Sequence, residues 1–175
     1  LIGVFGWGCF NLMRRTRSPV ELYLVTGLAS LIALQAVLNA GTHRDYADPG
    51  EVFLRHTARE LVISSPGGFL GGITPSNILR HEPIARNRTL AEAFEKLGLV
   101  ERAGIGRRRI FISTLSFGKR IPVYETEPAR VILRIFDGTF DERTAILMAK
   151  WRGEGREIGL DALLVLAYLR EHASI

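Results

Sequence analysis

The sequence contains a single cysteine, Cys9, among its 175 residues. One cysteine excludes an internal disulfide and any zinc site built from several thiolates, which favours a reducing compartment such as the cytoplasm. A P-loop is also missing, because Gly118-Lys119 is followed by Arg120 instead of serine or threonine. The sequence therefore gives no support for a helicase motor. A hydrophobic fraction of 47% with 23% charged residues excludes a disordered chain and indicates a globular protein.

The longest stretch with almost no charge runs from Leu22 to Ala40 and is long enough to suggest a short membrane span. A glycine and a serine interrupt it, and the polar residues Gln35 and Asn39 lie near its end. The run Val20–Thr26, which overlaps the start of this stretch, is rich in β-branched residues and is more typical of a strand. We therefore expect no membrane partner.

A polar stripe follows within this stretch. On a helix through residues 34–46, Gln35, Asn39 and His43 are spaced by four residues and share one side. The remaining surface is mostly apolar, which predicts a buried helix. A buried polar group without a partner costs roughly 1–3 kcal/mol, so the stripe needs either protein partners or a ligand. We interpret it as facing a ligand.

Two glycine-rich segments accompany the helix, at residues 65–73 and 103–106. Glycine loops allow backbone N–H groups to surround phosphate oxygens, and a carboxamide such as that of Asn39 can bind a magnesium ion that keeps several waters. The combination predicts a pocket for a magnesium nucleotide, although either segment taken alone is more often a plain turn. The basic cluster of residues 107–109, Lys119 and Arg120 suits phosphates or DNA, but a solvated charged surface is equally compatible with it and with the net charge of +5.

The element order predicts an α+β fold with two layers. A first hairpin is expected from Glu51–Arg55 and Glu60–Ser64, and a second from Ile121–Tyr124 and Arg130–Phe136. Pro75 is placed to start a short helix. Further helices are expected from a capping box at Thr89 to Gly98, from Asp141 to about Trp151, and from Asp161 onward. The chain begins with Leu1 and ends inside a predicted helix, so we expect it to be part of a longer protein.

Four segments in this order resemble one bacterial and archaeal family. They are Leu38–Ala40, His43–Tyr46, Ser65–Gly68 and Leu97–Gly106. The family comprises transcriptional regulators and RecG-like C-terminal domains, which combine a Schlafen Alba-like domain, a GHKL-type (Bergerat) ATPase domain and a winged helix. The resemblance covers about residues 10–175. It implies a GHKL-type α/β sandwich at 20–138, a helical segment at 139–175 that starts a winged helix, and a poorly defined segment at 1–19.

The resemblance also implies roles for individual residues. Asn39 matches the asparagine that binds magnesium, and Gln35 stands where the family usually has the glutamate that activates water. Ser65 lies near the position of the aspartate that reads adenine. The first glycine segment contributes Gly67 and Gly68, and the second, phosphate-facing segment contributes Gly104 and Gly106. For His43 two interpretations stay open, a contact with phosphate or packing beside Asp45.

These roles imply a module that binds ATP and magnesium in a DNA-associated regulator. Because a neutral amide such as Gln35 can position a water but cannot take its proton, we expect hydrolysis to be weak or absent. DNA contact is expected through regions outside this chain or at its end, and a homodimer is one expected assembly. The alternative is a degenerate scaffold that uses the fold for dimerisation or DNA contact without nucleotide. An active, DNA-stimulated ATPase ranks third.

Overall fold

The computed structural model describes residues 30, 33–57, 59–100, 105–136, 141–156 and 158–172, and all structural statements below refer to these residues. They form four strands and five helices. The strands are β1 (Phe53–His56), β2 (Glu60–Pro66), β3 (Val123–Glu127) and β4 (Arg130–Phe136). The helices are α1 (33–43), α2 (Arg88–Lys96), α3 (Ile105–Ser116), α4 (Glu142–Gly153) and α5 (Leu160–His172).

The four strands form one antiparallel sheet in the order β1-β2-β4-β3. Both predicted hairpins are confirmed, and the pairing of β2 with β4 joins them into a single sheet. Ile63 lies opposite Leu133, which in turn lies opposite Tyr124. These three side chains therefore form a row across the sheet and point to the same face.

That face carries the core. Ile63, Leu133 and Ile135 belong to the same buried cluster as residues of α1, α3, α4 and α5. The helices therefore cover one face of the sheet, as expected for an α+β fold with layers. The opposite face carries Arg134, which makes ion pairs with Glu60 at 3.1 Å and Glu125 at 3.0 Å.

Helix α1 confirms the predicted helix but not its expected all-round burial. Its buried face consists of Ala33, Ala36 and Ala40, whereas Leu34 is 48% exposed and Val37 is 38% exposed. The large apolar residues thus point away from the core. Alanines without long side chains allow the helix to approach the neighbouring sheet closely, and this leaves space at its polar side.

The start of α2 differs from the predicted capping box. The residue before the helix is Asn87, and Thr89 lies inside its first turn. The side-chain amide of Asn87 instead donates to the carbonyls of Thr42, in the last turn of α1, and of Arg44, which follows that helix. The predicted end is confirmed, because Gly98 has a φ of +68°, a conformation that favours glycine. Leu97, the residue before this glycine, is 71% exposed.

Helix α3 was not predicted. The expected glycine loop at 103–106 instead leads into a helix that begins at Ile105, so Gly106 lies in its first turn. Glycine and β-branched residues weaken helix propensity, but burial of Ile110 and Phe111 in the core stabilises this helix through tertiary packing. Packing against α5 adds to it.

Three other local predictions have mixed outcomes. Asp141 caps α4 as predicted, since its carboxylate accepts hydrogen bonds from the Arg143 N–H and the Thr144 hydroxyl. Asp161 lies in the first turn of α5, which begins at Leu160, and is not its cap. The short helix predicted at Pro75 is a series of turns over 75–80, closed by hydrogen bonds such as that from the Arg80 N–H to the Asn77 carbonyl.

Some predictions fall outside the described residues. They are the segment 1–19, the strand Val20–Thr26, Gly104 and the turn at Asp137-Gly138. The domain limits at 20–138 and 139–175 stay predictions, as does the winged helix. Among the described residues, the helices are all too short or too polar to cross a membrane.

Candidate functional site

A cavity opens between α1, the first glycine segment and the sheet. Its enclosed volume is about 80 Å³, and its mouth is open to solvent. Its wall consists of Ala36, Asn39, Ala40, His43, Ile63, Ser65, Gly67, Gly68, Phe69, Leu70, Ile73, Ile78, Ile84, Arg86, Arg107, Tyr124, Val131 and Leu133. Apolar side chains dominate this wall, and a few polar groups interrupt it, which is typical of a small-molecule site.

Helix α1 supplies the polar groups Asn39 and His43. The Asn39 side chain makes no hydrogen bond with another described residue, so its amide is free to bind a ligand or an ion. Gln35 does not line the cavity, and its Nε2 atom donates to the Leu99 carbonyl at 3.4 Å. Since eight residues rotate a helix by about 80°, Gln35 and His43 cannot face one narrow site equally well.

The first glycine segment begins at the end of β2, and several of its residues line the cavity. Ser65 is 7% exposed, and its hydroxyl donates to the Ala40 carbonyl at 3.2 Å, which ties β2 to α1. Gly67 has a φ of +99°, and a Cβ there would lie 2.9 Å from the Asp45 Cβ. Only glycine fits this position without strain. Gly68 has open space around its Cα and lines the cavity beside it.

Arg86 holds this part of the site together and was missed by the sequence analysis. Its guanidinium donates to the His43 carbonyl at 3.1 Å, to the Asp45 carboxylate at 3.3 Å and to the Gly68 carbonyl at 2.7 Å. It thus links the end of α1 to the first glycine segment. Its carbonyl partners are 43 and 18 residues away in the sequence, and no local pattern reveals such contacts.

Arg107 and Tyr124 also line the cavity. From the sequence, Arg107 was a candidate for phosphate only as part of the basic cluster, and Tyr124 was missed as a site residue. An Arg107 Nη2 atom donates to the His81 carbonyl, but its Nε atom is buried and has no partner. The Tyr124 hydroxyl is likewise buried without a partner, and burial raises the pKa of Tyr124 well above its usual range. The Tyr124 ring is held between Phe69 and Phe111, with centroids 6.4 and 6.3 Å away.

The basic run 107–109 is divided by the fold. Arg107 lines the cavity, whereas Arg108 and Arg109 are exposed on the outer side of α3. The sequence analysis treated these residues as one group because it did not predict helix α3. It is this helix that turns Arg107 to a different side from Arg108 and Arg109. The structure therefore assigns the cavity one arginine from this run.

The cavity is electropositive. Its described wall contains Arg86, Arg107 and His43 but no aspartate or glutamate. Burial lowers the pKa of His43, and the charges of Arg107 and Arg86 lower it further, which keeps the imidazole neutral near pH 7. The Asp45 carboxylate does not line the cavity and is paired with Arg86 at 3.3 Å. Such a lining suits an anionic ligand.

A metal ion would find few protein ligands here. Within the described ranges, three or more histidine, cysteine, aspartate or glutamate side chains are nowhere grouped to hold one. The Asn39 amide oxygen remains as a single ligand. One amide oxygen is compatible with magnesium when waters and the phosphates of a nucleotide fill the other coordination positions.

The other predicted site residues lie apart from the cavity. Gly106 lies in α3 and does not line it, and Gly104 lies outside the described residues.

His43 lines the cavity together with Arg86 and Arg107. The carboxylate of Asp45 accepts hydrogen bonds from Arg86 and from the Ala47 N–H. The structure thus brings together Asn39, His43, Ser65, Gly67 and Gly68.

Comparison with known proteins identifies a family that part of the chain resembles. Residues 51–135 match the family described as "Putative ATP-dependent DNA helicase recG C-terminal". The chain is also similar to the crystal structure of the DIP2311 protein from Corynebacterium diphtheriae, with a TM-score of 0.69 and 28% identity. That similarity covers 79% of this chain and 30% of the DIP2311 chain, so this chain spans less than a third of that protein. No curated protein matches. The resemblance to the RecG-like C-terminal family is therefore confirmed, and it is carried by residues 51–135.

Proposed function

We propose that this chain is a GHKL-type (Bergerat) module that binds ATP with magnesium. The observation that carries the proposal is the cavity itself. Asn39, Gly67 and Gly68 line it together, and its described wall contains two arginines and no carboxylate. A triphosphate with magnesium supplies the negative charge and the cation-coordinating oxygens that such a wall lacks.

Each polar group then has a place in the complex. Asn39 would bind magnesium through its amide oxygen, while waters and phosphate oxygens fill the other positions. The backbone at Gly67 and Gly68 allows close approach of the ligand, because no side chain stands in the way. Ser65 lies deeper, against Ala40, where a nucleobase would pack on apolar side chains such as Val131.

Hydrolysis is expected to be weak or absent. Gln35 is neutral and cannot accept the proton of an attacking water. Its side chain is also turned toward the Leu99 carbonyl and away from the cavity. We expect release of phosphate from ATP to stay at the background of the buffer, measured with a coupled phosphate assay. Turnover clearly above that background would contradict this assignment.

A role in a DNA-associated regulator belongs to the same proposal. The family description names a RecG-like C-terminal region, and the net charge of +5 suits an anionic partner. In this proposal the segment 139–175 leads into a winged helix, and the larger protein contacts DNA through it. A homodimer and a cytoplasmic location complete the proposed setting.

The binding proposal can be tested by calorimetric titration with a non-hydrolysable ATP analogue and magnesium. We expect binding that Asn39→Ala abolishes or weakens strongly, and that Val37→Ala leaves unchanged. Val37 lies on the same helix but outside the cavity, so it controls for altered helix stability. An absence of heat from the folded wild-type chain at several temperatures would contradict the proposal.

A second function, a scaffold that keeps the fold without nucleotide, is favoured by one observation. The two residues that depart from the family pattern are both occupied within the protein, Gln35 by the Leu99 carbonyl and Ser65 by the Ala40 carbonyl. A thermal shift measurement separates the two functions. Binding at a concentration of 100 times Kd raises stability by about 2.7 kcal/mol, whereas a scaffold shows no change in Tm with ATP.

A further inference from the structure

Two polar atoms in the cavity wall lack hydrogen-bond partners, the Nε of Arg107 and the hydroxyl oxygen of Tyr124. Both are shielded from solvent, and Tyr124 is only 8% exposed as a residue. Buried polar groups in native proteins are nearly always paired, so an unpaired group calls for an explanation. Here both residues line the same cavity, and Tyr124 is close enough to Arg107 to affect its pKa.

We propose that Arg107 and Tyr124 form an anion-recognition site on the α3 side of the cavity, which binds a phosphate oxygen of the ligand. The identity of that ligand rests on the proposed function, while anion recognition does not require the ligand to be ATP. An Nε–H of a guanidinium and a phenolic O–H are both donors suited to an oxyanion.

The neighbouring arginine shows why Arg107 is the group available for this role. Arg86 uses its Nε, Nη1 and Nη2 atoms on protein acceptors and has a carboxylate beside it. Arg107 makes a single hydrogen bond, to a neutral carbonyl, and has no acidic partner among the described residues. Its charge is therefore uncompensated among the described residues, and burial lowers the pKa of Arg107. An anionic ligand would supply the missing partner.

Tyr124 contributes a second donor with a fixed position. Its ring is confined by Phe69 and Phe111, and its backbone belongs to β3, which pairs with β4. A confined side chain loses little conformational freedom when it binds, which favours recognition. The pair thus combines a charge with a rigid hydrogen-bond donor.

The test titrates the chain separately with the magnesium complex of a non-hydrolysable ATP analogue and with inorganic tripolyphosphate. Arg107→Gln is expected to weaken both about ten- to hundred-fold, the effect of one charged hydrogen bond. Arg108→Gln removes the same charge from the next residue, which is exposed and outside the cavity, and should change either affinity less than about threefold, as expected for an exposed charge. Arg107→Lys should restore part of the loss.

Tyr124→Phe separates ligand recognition from packing, because it removes one oxygen and keeps the ring. It is expected to weaken both ligands about three- to tenfold. In the absence of ligand its Tm should stay equal or rise, since the lost hydroxyl had no partner. A lower Tm with unchanged affinity would mean that the hydroxyl serves the fold alone and would overturn its role.

The outcomes also separate this inference from the proposed function. If the ATP analogue binds wild type and Arg107→Gln equally well, the anion site is refuted and nucleotide binding stands. If tripolyphosphate binds in a manner that depends on Arg107 while the ATP analogue does not bind, the anion site stands and the proposed function fails. Equal losses for Arg107→Gln and Arg108→Gln would reduce the effect to general charge and overturn the inference.

Discussion

Truncation of Arg86 should destabilise the protein more than any other change in an exposed or half-exposed arginine of the described chain. Arg86→Ala removes hydrogen bonds to the carbonyls of His43 and Gly68 and the ion pair with Asp45. A hydrogen bond to a charged donor contributes about 1.5–3 kcal/mol. The ion pair contributes under about 1 kcal/mol, since the Asp45 side chain is 36% exposed. The two carbonyl bonds therefore dominate the loss.

Summed over these contacts, and allowing for water that replaces part of them, the expected loss for Arg86→Ala is about 3–5 kcal/mol. For a chain of this size it lowers Tm by roughly 6–20 °C. Urea unfolding followed by circular dichroism measures the free energy directly. Arg88→Ala is the matched control, because Arg88 is exposed at the start of α2, and it should change stability by less than about 0.5 kcal/mol. A loss below about 1 kcal/mol for Arg86→Ala would refute the view that this side chain joins α1 to the glycine segment.

Two further predictions follow from neighbouring positions. Gly67→Ala should cost roughly 1–3 kcal/mol in urea unfolding, because of its φ of +99° and the Asp45 Cβ 2.9 Å from the added methyl group. Gly68→Ala, which meets no atom within 4 Å, should be nearly neutral, and equal losses for both variants would argue against backbone strain. The second prediction concerns pH. Because the folded state lowers the pKa of His43 below its ordinary value of about 6.5, the unfolded chain binds the extra proton first as pH falls. The free energy of unfolding should therefore decrease below pH 6.5, by at most about 1.4 kcal/mol per pH unit, until the folded pKa is reached. His43→Gln should remove this slope, and an unchanged slope in the variant would assign it to other groups.

The parts of the fold that depend on local pattern were predictable from the sequence. Alternation of apolar and polar residues located both hairpins, and Gly98 and Asp141 marked one helix end and one helix start. Helix α3 was missed because the glycines around its start, Gly104 and Gly106, locally favour a loop. Its stability comes from Ile110 in the core, a tertiary effect that a local pattern does not contain.

The candidate site was predicted in part for the same reason. Asn39, Ser65 and Gly67 were identified because they belong to short motifs, and the structure brings them to one cavity. Arg86 and Tyr124 belong to no such motif. Arg86 acts through carbonyls of distant residues, and Tyr124 reaches the cavity because β3 pairs with β4 in a particular register. Contacts of this kind depend on topology, which the sequence gives only indirectly.

The segment that closes the cavity, residues 69–84, has neither helix nor strand, and the two arginines of the cavity wall hold its ends. Arg86 donates to the Gly68 carbonyl just before it, and Arg107 donates to the His81 carbonyl within it. The charge of the cavity and the position of this segment therefore depend on the same two side chains. A ligand anion bound by Arg107 would act on a residue that also holds the segment, so ligand binding and closure should be coupled. All three nitrogen atoms of the Arg86 guanidinium already donate to protein acceptors, so this side chain would contribute mainly to the position of the segment. This division of roles explains why loss of Arg86 should appear mainly as lost stability, whereas loss of Arg107 should appear mainly as lost affinity.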